Sequence, residues 1–152
     1  MVAVKNAVSG ARVASGKIPK PLKVLILGNN PISLGEVFEV LDGREFAGQK
    51  FSVDVCFDAY DCLRKLRNGT AFDCVIIDDT LGISEMRKLF SGMKEGKATQ
   101  NFPVSMIKSD NHHSVPFSGI FDFILREDMN LARLNNTITR SINFSRRSDF
   151  QT

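Results

Sequence analysis

The chain has 152 residues, 43% apolar and 24% charged, with no Trp. That balance is ordinary for one soluble globular domain with a real core, and no apolar run reaches the roughly 18 residues needed to span a membrane. The net charge of +3 is uneven: Lys5, Arg12, Lys17, Lys20 and Lys23 fall in the first 35 residues, which hold no acid, leaving 15 basic against 17 acidic side chains in the body. A basic tail on a slightly acidic body excludes a nucleic-acid-binding fold.

Residues 1–21 are small, polar and basic and end in Pro19-Lys20-Pro21, which reads as a disordered leader kept extended by proline. It lacks the continuous apolar segment of a secretory signal. Its composition is compatible with an organellar transit peptide, but a floppy tail is the simpler reading. Cys56, Cys62 and Cys74 lie in or beside apolar segments, as expected of small buried hydrophobes in a reducing, cytoplasmic setting. Their spacing does not suit a metal site.

Leu22–Leu27 is an unbroken apolar run and the first predicted strand. Gly28-Asn29-Asn30-Pro31 turns the chain into a helix whose stripe is Leu34, Val37, Phe38 and Leu41. Asp42-Gly43 ends it, and a polar loop is expected up to Lys50. Phe51, Val53 and Val55 alternate with polar residues, which predicts a second strand near an edge of the sheet. Ala59, Cys62, Leu63 and Leu66 mark a second helix, stopped by Asn68-Gly69. Cys74–Asp78 is a third strand, apolar enough to be buried on both faces, and it closes in two carboxylates, Asp78 and Asp79. Ser84 is placed to cap a third helix, with Glu85 in its first turn and Met86, Leu89, Phe90 and Met93 inward. Val104–Ile107 and Phe121–Leu125 are the fourth and fifth strands. A last helix begins near Asp128 and turns Leu131, Leu134, Ile138 and Ile142 to the core.

Strands alternating with helices predict a doubly wound parallel sheet, and acids at a strand's C-terminal end sit where sites collect in such sheets. One link breaks the alternation. Only Asp110–Ser118, including Pro116, joins strands four and five, too little for a full crossover helix, so the fourth helix is expected to be shortened or missing. His112-His113 lies in this link, and adjacent loop histidines point apart rather than share a metal.

The segments KVLILGNNPISL, FDCVIIDD, FPVSMIKS and GIFDFILRED, in this order and spacing over Leu22–Phe144, resemble the receiver domain of response regulators (CheY-like) in an atypical, pseudo-receiver form. The resemblance implies a flavodoxin-like fold with strand order 2-1-3-4-5, bounded here as residues 22–145 with a C-terminal tail at 146–152. It implies that Asp78 stands at the phosphoacceptor position. The acidic pair that helps hold Mg²⁺ is replaced by Gly28 and Asn29. The Thr or Ser that ends strand four is replaced by Lys108, with Ser109 next. The Lys that ends strand five is replaced by Arg126, followed by Glu127. The aromatic switch residue matches Phe123.

Mg²⁺ prefers anionic oxygens in near-octahedral order. Gly28 offers no ligand, Asn29 at most a neutral carbonyl, and only Asp78, with Asp79 or Asp110, stays anionic. Little or no metal affinity is therefore expected. Lys108, if beside Asp78, could take the metal's place in an internal ion pair; Arg126 keeps a positive charge without the compact geometry of Lys. Asp78 then reads as an acid capping amides or pairing with Lys108 rather than a working phosphoacceptor. Asp79 reads as a solvated turn residue, and Gly28-Asn29-Asn30 as a tight turn rather than a dinucleotide loop.

Arg133, Arg140 and Arg147 recur every seven residues on the face of the last helix opposite Leu131, Ile138 and Ile142. They read as a solvated face or as a docking surface for an acidic partner protein. The functional expectation is a regulatory interaction module of two-component signalling, not an enzyme, with a histidine kinase or downstream effector as partner, no nucleic acid or membrane, and homodimers allowed through the last helix. The alternatives are a working phosphoacceptor at Asp78, or a small-anion or nucleotide-binding domain using Lys108, Arg126 and the Asn29 amide.

Overall fold

The computed structural model describes residues 20–68, 72–96, 103–109 and 119–151, with residues 146–151 described by main chain only. Most of the leader, Gly69, Asp110, the His112-His113 link and the Arg147 side chain lie outside the described residues.

The elements run β1 (Leu22–Leu27), α1 (Pro31–Leu41), β2 (Glu45–Phe46), β3 (Gln49–Cys56), α2 (Ala59–Arg67), β4 (Cys74–Asp78), α3 (Ile83–Glu95), β5 (Val104–Lys108), β6 (Ile120–Leu125) and α4 (Leu131–Gln151). Single 3₁₀ turns follow β4 at Asp79–Leu81 and β6 at Arg126–Asp128. The sheet order is β2-β3-β1-β4-β5-β6. All pairings are parallel except β2 with β3. The parallel part is thus the expected five strands in 2-1-3-4-5 order.

The period-2 geometry of a strand divides the core into two layers. Leu25, Leu27, Val75, Ile77 and Met106 face α2 and α3, meeting Cys62, Leu66, Met86 and Leu89. Val24, Ile26, Ile76, Ile107 and Ile124 face α1 and α4, meeting Leu34, Val37, Leu134 and Ile138. Every residue of β4 is buried, which is why it reads as a continuous apolar run. Cys56, Cys62 and Cys74 are buried free thiols, and burial pushes the Cys74 thiol well up, so it acts as a packing group.

Local structure departs from expectation in four places. The polar loop before Lys50 contains β2, paired with β3 through Ala47-Gly48, whose φ values are 52° and 81°. Two positive φ angles suit the right-handed twist of a two-residue hairpin. The sheet therefore has six strands, and β2 rather than β3 takes that edge. Helix α3 starts at Ile83 after Gly82 with no side-chain cap, so Ser84 does not cap it. Instead Glu85 accepts the Ala59 amide at 3.0 Å, tying α3 to the start of α2. Helix α4 is begun by Asn130, whose Oδ1 accepts the Arg133 amide at 2.8 Å, not by Asp128. It then continues through Gln151, past the boundary at residue 145.

Candidate functional site

The C-terminal ends of β1, β4, β5 and β6 meet around Asp78, the last residue of β4. Its side chain is 1% exposed. One oxygen, Oδ1, accepts the Thr80 amide at 3.2 Å and caps the turn that follows. The same oxygen receives Arg126 Nη2. The other, Oδ2, is buried with no hydrogen-bond partner among the described residues, and so is Arg126 Nη1. Burial pushes the Asp78 carboxyl above the usual carboxylate range, with the Thr80 amide and the Arg126 guanidinium offsetting part of that rise.

The cation that meets Asp78 is therefore Arg126 and not Lys108. Lys108 ends β5 and sets its ammonium 5.2 Å from the Phe123 ring centroid. The swap has a geometric reason. The 3₁₀ turn at Arg126–Asp128 leaves Arg126 at the sheet end with a side chain long enough to reach back to β4. Its guanidinium also lies 3.7 Å from Asp79 Oδ1.

Asp79 is not a solvated turn residue. Its Oδ2 accepts the Ser109 amide at 2.7 Å and its Oδ1 accepts the Ser109 hydroxyl at 3.1 Å, which clasps the end of β4 to the end of β5. Thr80 is a contributor that the sequence did not single out: its Oγ1 accepts the Asn29 amide at 3.2 Å. Asn30 caps α1 by accepting the Ile32 amide at 2.9 Å, so this stretch is the tight turn expected.

Gly28 is buried, and its place is set by close approach. A Cβ built there would lie 2.8 Å from the Asp78 Cβ, 3.0 Å from Leu34 Cδ2 and 3.1 Å from Thr80 Oγ1. Position 28 thus has no room for any side chain unless β4 shifts.

A second carboxylate cluster lies along β6 and α4. Asp122 Oδ2 receives Arg133 Nη1 at 3.1 Å, Arg140 Nη2 at 2.7 Å and the Thr137 hydroxyl at 2.7 Å. Burial raises the Asp122 carboxyl, but the Thr137 and Arg133 hydrogen bonds and the Arg133 charge outweigh it and hold it below the usual range. Arg133 and Arg140, read as a solvated or docking face, thus have an intramolecular partner. Arg140 also stacks 5.4 Å over the Phe121 ring, which sits 5.5 Å from that of Phe144. A cavity of about 330 Å³ lies among Phe121, Arg140, Asn143 and Phe144. Asp122 had a signal in the sequence: it is the one charge in the strand IFDFIL, and Arg133, Thr137 and Arg140 share a helix face at i, i+4 and i+7. Phe123 is 43% exposed.

No protein-family model matches the chain, and no curated protein sequence does. Solved structures do match. The bacteriophytochrome response regulator AtBRR is 18% identical with a TM-score of 0.61, covering 81% of this chain and 94% of its own. The receiver domain of the sensor histidine kinase PA1611 from Pseudomonas aeruginosa PAO1, solved with a magnesium ion in its active-site cleft, is 13% identical with a TM-score of 0.62, covering 82% and 99%. The N-terminal domain of a response regulator/sensory box/GGDEF protein from Carboxydothermus hydrogenoformans is 11% identical with a TM-score of 0.65, covering 83% and 98%. The chain has the receiver-domain, flavodoxin-like fold. Among the described residues no helix is long and apolar enough to cross a membrane.

Proposed function

We propose that this chain is an atypical receiver in two-component signalling, a regulatory module that acts by protein contact without Mg²⁺-dependent phosphorylation of Asp78. The observation that carries this reading is the state of Asp78 itself. One oxygen is held by Arg126 and the Thr80 amide, and the other is buried. A phosphoryl donor needs an exposed carboxylate oxygen and a divalent ion to neutralise the meeting of two anions.

The donor set does not suit that ion. Gly28 supplies nothing, both Asp79 oxygens are committed to Ser109, and the nearest charge to Asp78 is a guanidinium. No group of three or more His, Cys, Asp or Glu side chains that could hold a metal occurs among the described residues. On this reading Arg126 is the resident cation of the site. The chain has no turnover of its own and works in the cytoplasm. Its partner is a protein, a histidine kinase or a downstream effector, rather than nucleic acid or membrane, with self-association through α4 as one form of that contact.

The second reading, a working phosphoacceptor, is favoured by one observation: Asp78 keeps its position at the end of β4 and one of its oxygens carries no hydrogen bond. Incubation with Mg²⁺ and acetyl phosphate, read by intact mass beside Asp78→Asn, separates the two. The expected result is no adduct on either protein. One phosphoryl group on the parent, lost in the variant, overturns the proposal and establishes the second reading.

A further inference from the structure

Acids and bases are segregated along the first third of the chain. Lys5, Arg12, Lys17 and Lys20 precede β1, and no acid accompanies them. Helix α1 and the turn into β2 have the opposite balance: Glu36, Glu39, Asp42 and Glu45 against Arg44 alone. Elsewhere Asp54, Asp61, Glu85 and Asp122 each have a basic side chain within 4.0 Å. Glu36 and Glu39 are exposed, and among the described residues no basic side chain comes that close to either.

That arrangement is unfavourable by itself. The last carbonyls of a helix carry partial negative charge, so an acid there repels them and a cation is attracted. The last turn of α1 has no base. Arg44 meets part of the need, but its Nε donates to the Glu39 carbonyl at 3.3 Å and not to a carboxylate. Ile32, Glu36 and Glu39 follow one another at i, i+4 and i+7, so an apolar side chain that is 78% exposed continues the acidic stripe. The leader has the complementary composition, with Val4, Val8, Val13 and Ile18 interleaved among its bases.

The fold delivers the leader to this surface. Leu22, where β1 begins, is the register partner of Phe51, and the Phe51 carbonyl accepts the Gly43 amide at 2.9 Å, just past the end of α1. The leader therefore leaves the sheet beside the C-terminal end of α1. The 11 residues of α1 rise roughly 16 Å, which an extended chain covers in about five residues. Lys17 precedes Leu22 by that much, so its ammonium reaches the level of Glu36 and Glu39. We propose that the basic leader, residues 1–19, docks in the same molecule on the outer face of α1 that Glu36 and Glu39 mark. A basic partner that seeks this face must first displace the leader. This inference is independent of whether Asp78 is phosphorylated.

The test is zero-length carbodiimide coupling of the full chain, mapped by mass spectrometry on an equal mixture of isotopically light and heavy protein. Amide bonds from Lys5 or Lys17 to Glu36 or Glu39, within one isotope, are expected. No coupling to these two acids overturns the proposal, as does coupling no greater than to the exposed Glu95 and Asp128. Bonds of mixed isotope assign the face to the leader of a second copy and overturn docking within one molecule. Limited trypsin digestion gives a second reading. Glu36→Lys with Glu39→Lys, both at exposed positions, is expected to speed cleavage after Arg12 and Lys17 about fivefold, the scale of a few surface ion pairs. An unchanged rate overturns the proposal. So does an equal acceleration by Glu95→Lys with Asp128→Lys, which would make the effect one of net charge.

Discussion

Asp78 and Asp122 both meet arginines, and they do so under opposite conditions. Asp78 is sealed at the end of a central strand, takes one guanidinium on one oxygen, and leaves the other without a bond. Asp122 stands on an edge strand at 20% side-chain exposure and gathers two guanidinium groups and a hydroxyl. Burial dominates at the first and raises its pKa; hydrogen bonds and charge outweigh burial at the second and lower it. An Asp–Arg contact therefore has no fixed meaning: the count of donors against the cost of desolvation decides whether the charge supports the fold.

The largest effect should come from placing an acid at position 28. Gly28→Asp places a Cβ 2.8 Å from that of Asp78 and adds a second anion beside a buried one. Overpacking and the unpaired charge together should cost about 3 kcal/mol or more in urea unfolding. A variant as stable as the parent would show that β4 can move away from β1, and the closed site would then be an adaptable one.

Arg126→Met sharpens the same contrast. It leaves Asp78 buried without its cation, for an expected loss of about 3 kcal/mol at neutral pH. The carboxyl pKa should rise further, so the folded state binds its proton more tightly than the unfolded one. Stability then falls as pH rises from the ordinary carboxylate value through the raised one. Urea midpoints should accordingly be closer to the parent's in acid than at pH 7.5, and adding Asp78→Asn should recover most of the neutral-pH loss. In the parent the same sign applies to Asp78 in weaker form, and Asp78→Asn should flatten that decline.

Asp122 should give the opposite slope. Its folded pKa is depressed, so its contribution is present above the ordinary carboxylate range and disappears as pH falls through the folded value. Arg140 is half exposed, which screens part of the interaction, so Asp122→Asn should cost about 1 kcal/mol at pH 7 and less in acid. Equal loss at both ends of the pH range would mean that shape rather than charge is what Asp122 provides.

Much of the fold was legible because its signals are periodic. The alternation of Leu25 and Leu27 against Val24 and Ile26 needs only strand geometry to predict two layers. The ends of elements were less legible. Ala47-Gly48 carries none of the Asn-Gly or Asp-Gly chemistry that announces a two-residue hairpin, so β2 passed as loop. The position of Asp78 at the end of a buried strand could be read from the sequence, but which cation reaches it could not. Lys108 ends β5 and Arg126 directly follows β6, and the choice turns on a 3₁₀ turn after β6 and an aromatic ring beside Lys108, neither of which leaves a mark in one-dimensional spacing.

That aromatic contact sets the smallest expected effect. Lys108 holds its ammonium over the ring of Phe123, which is itself 43% exposed, so the cation–π attraction works in a wet setting. Lys108→Met keeps the apolar stem and removes the charge, and should lower stability by about 0.5 kcal/mol. A double-mutant cycle with Phe123→Leu checks whether that loss belongs to the ring. If the two substitutions add without coupling, the ammonium takes its support from elsewhere, and Phe123 keeps its outward position through the backbone clasp of Asp122 and Arg133 alone. If they couple, both sides of this ring are held, by Lys108 at the face and by Asp122 and Arg133 at its main chain. The β6 surface then keeps one arrangement irrespective of what happens at Asp78.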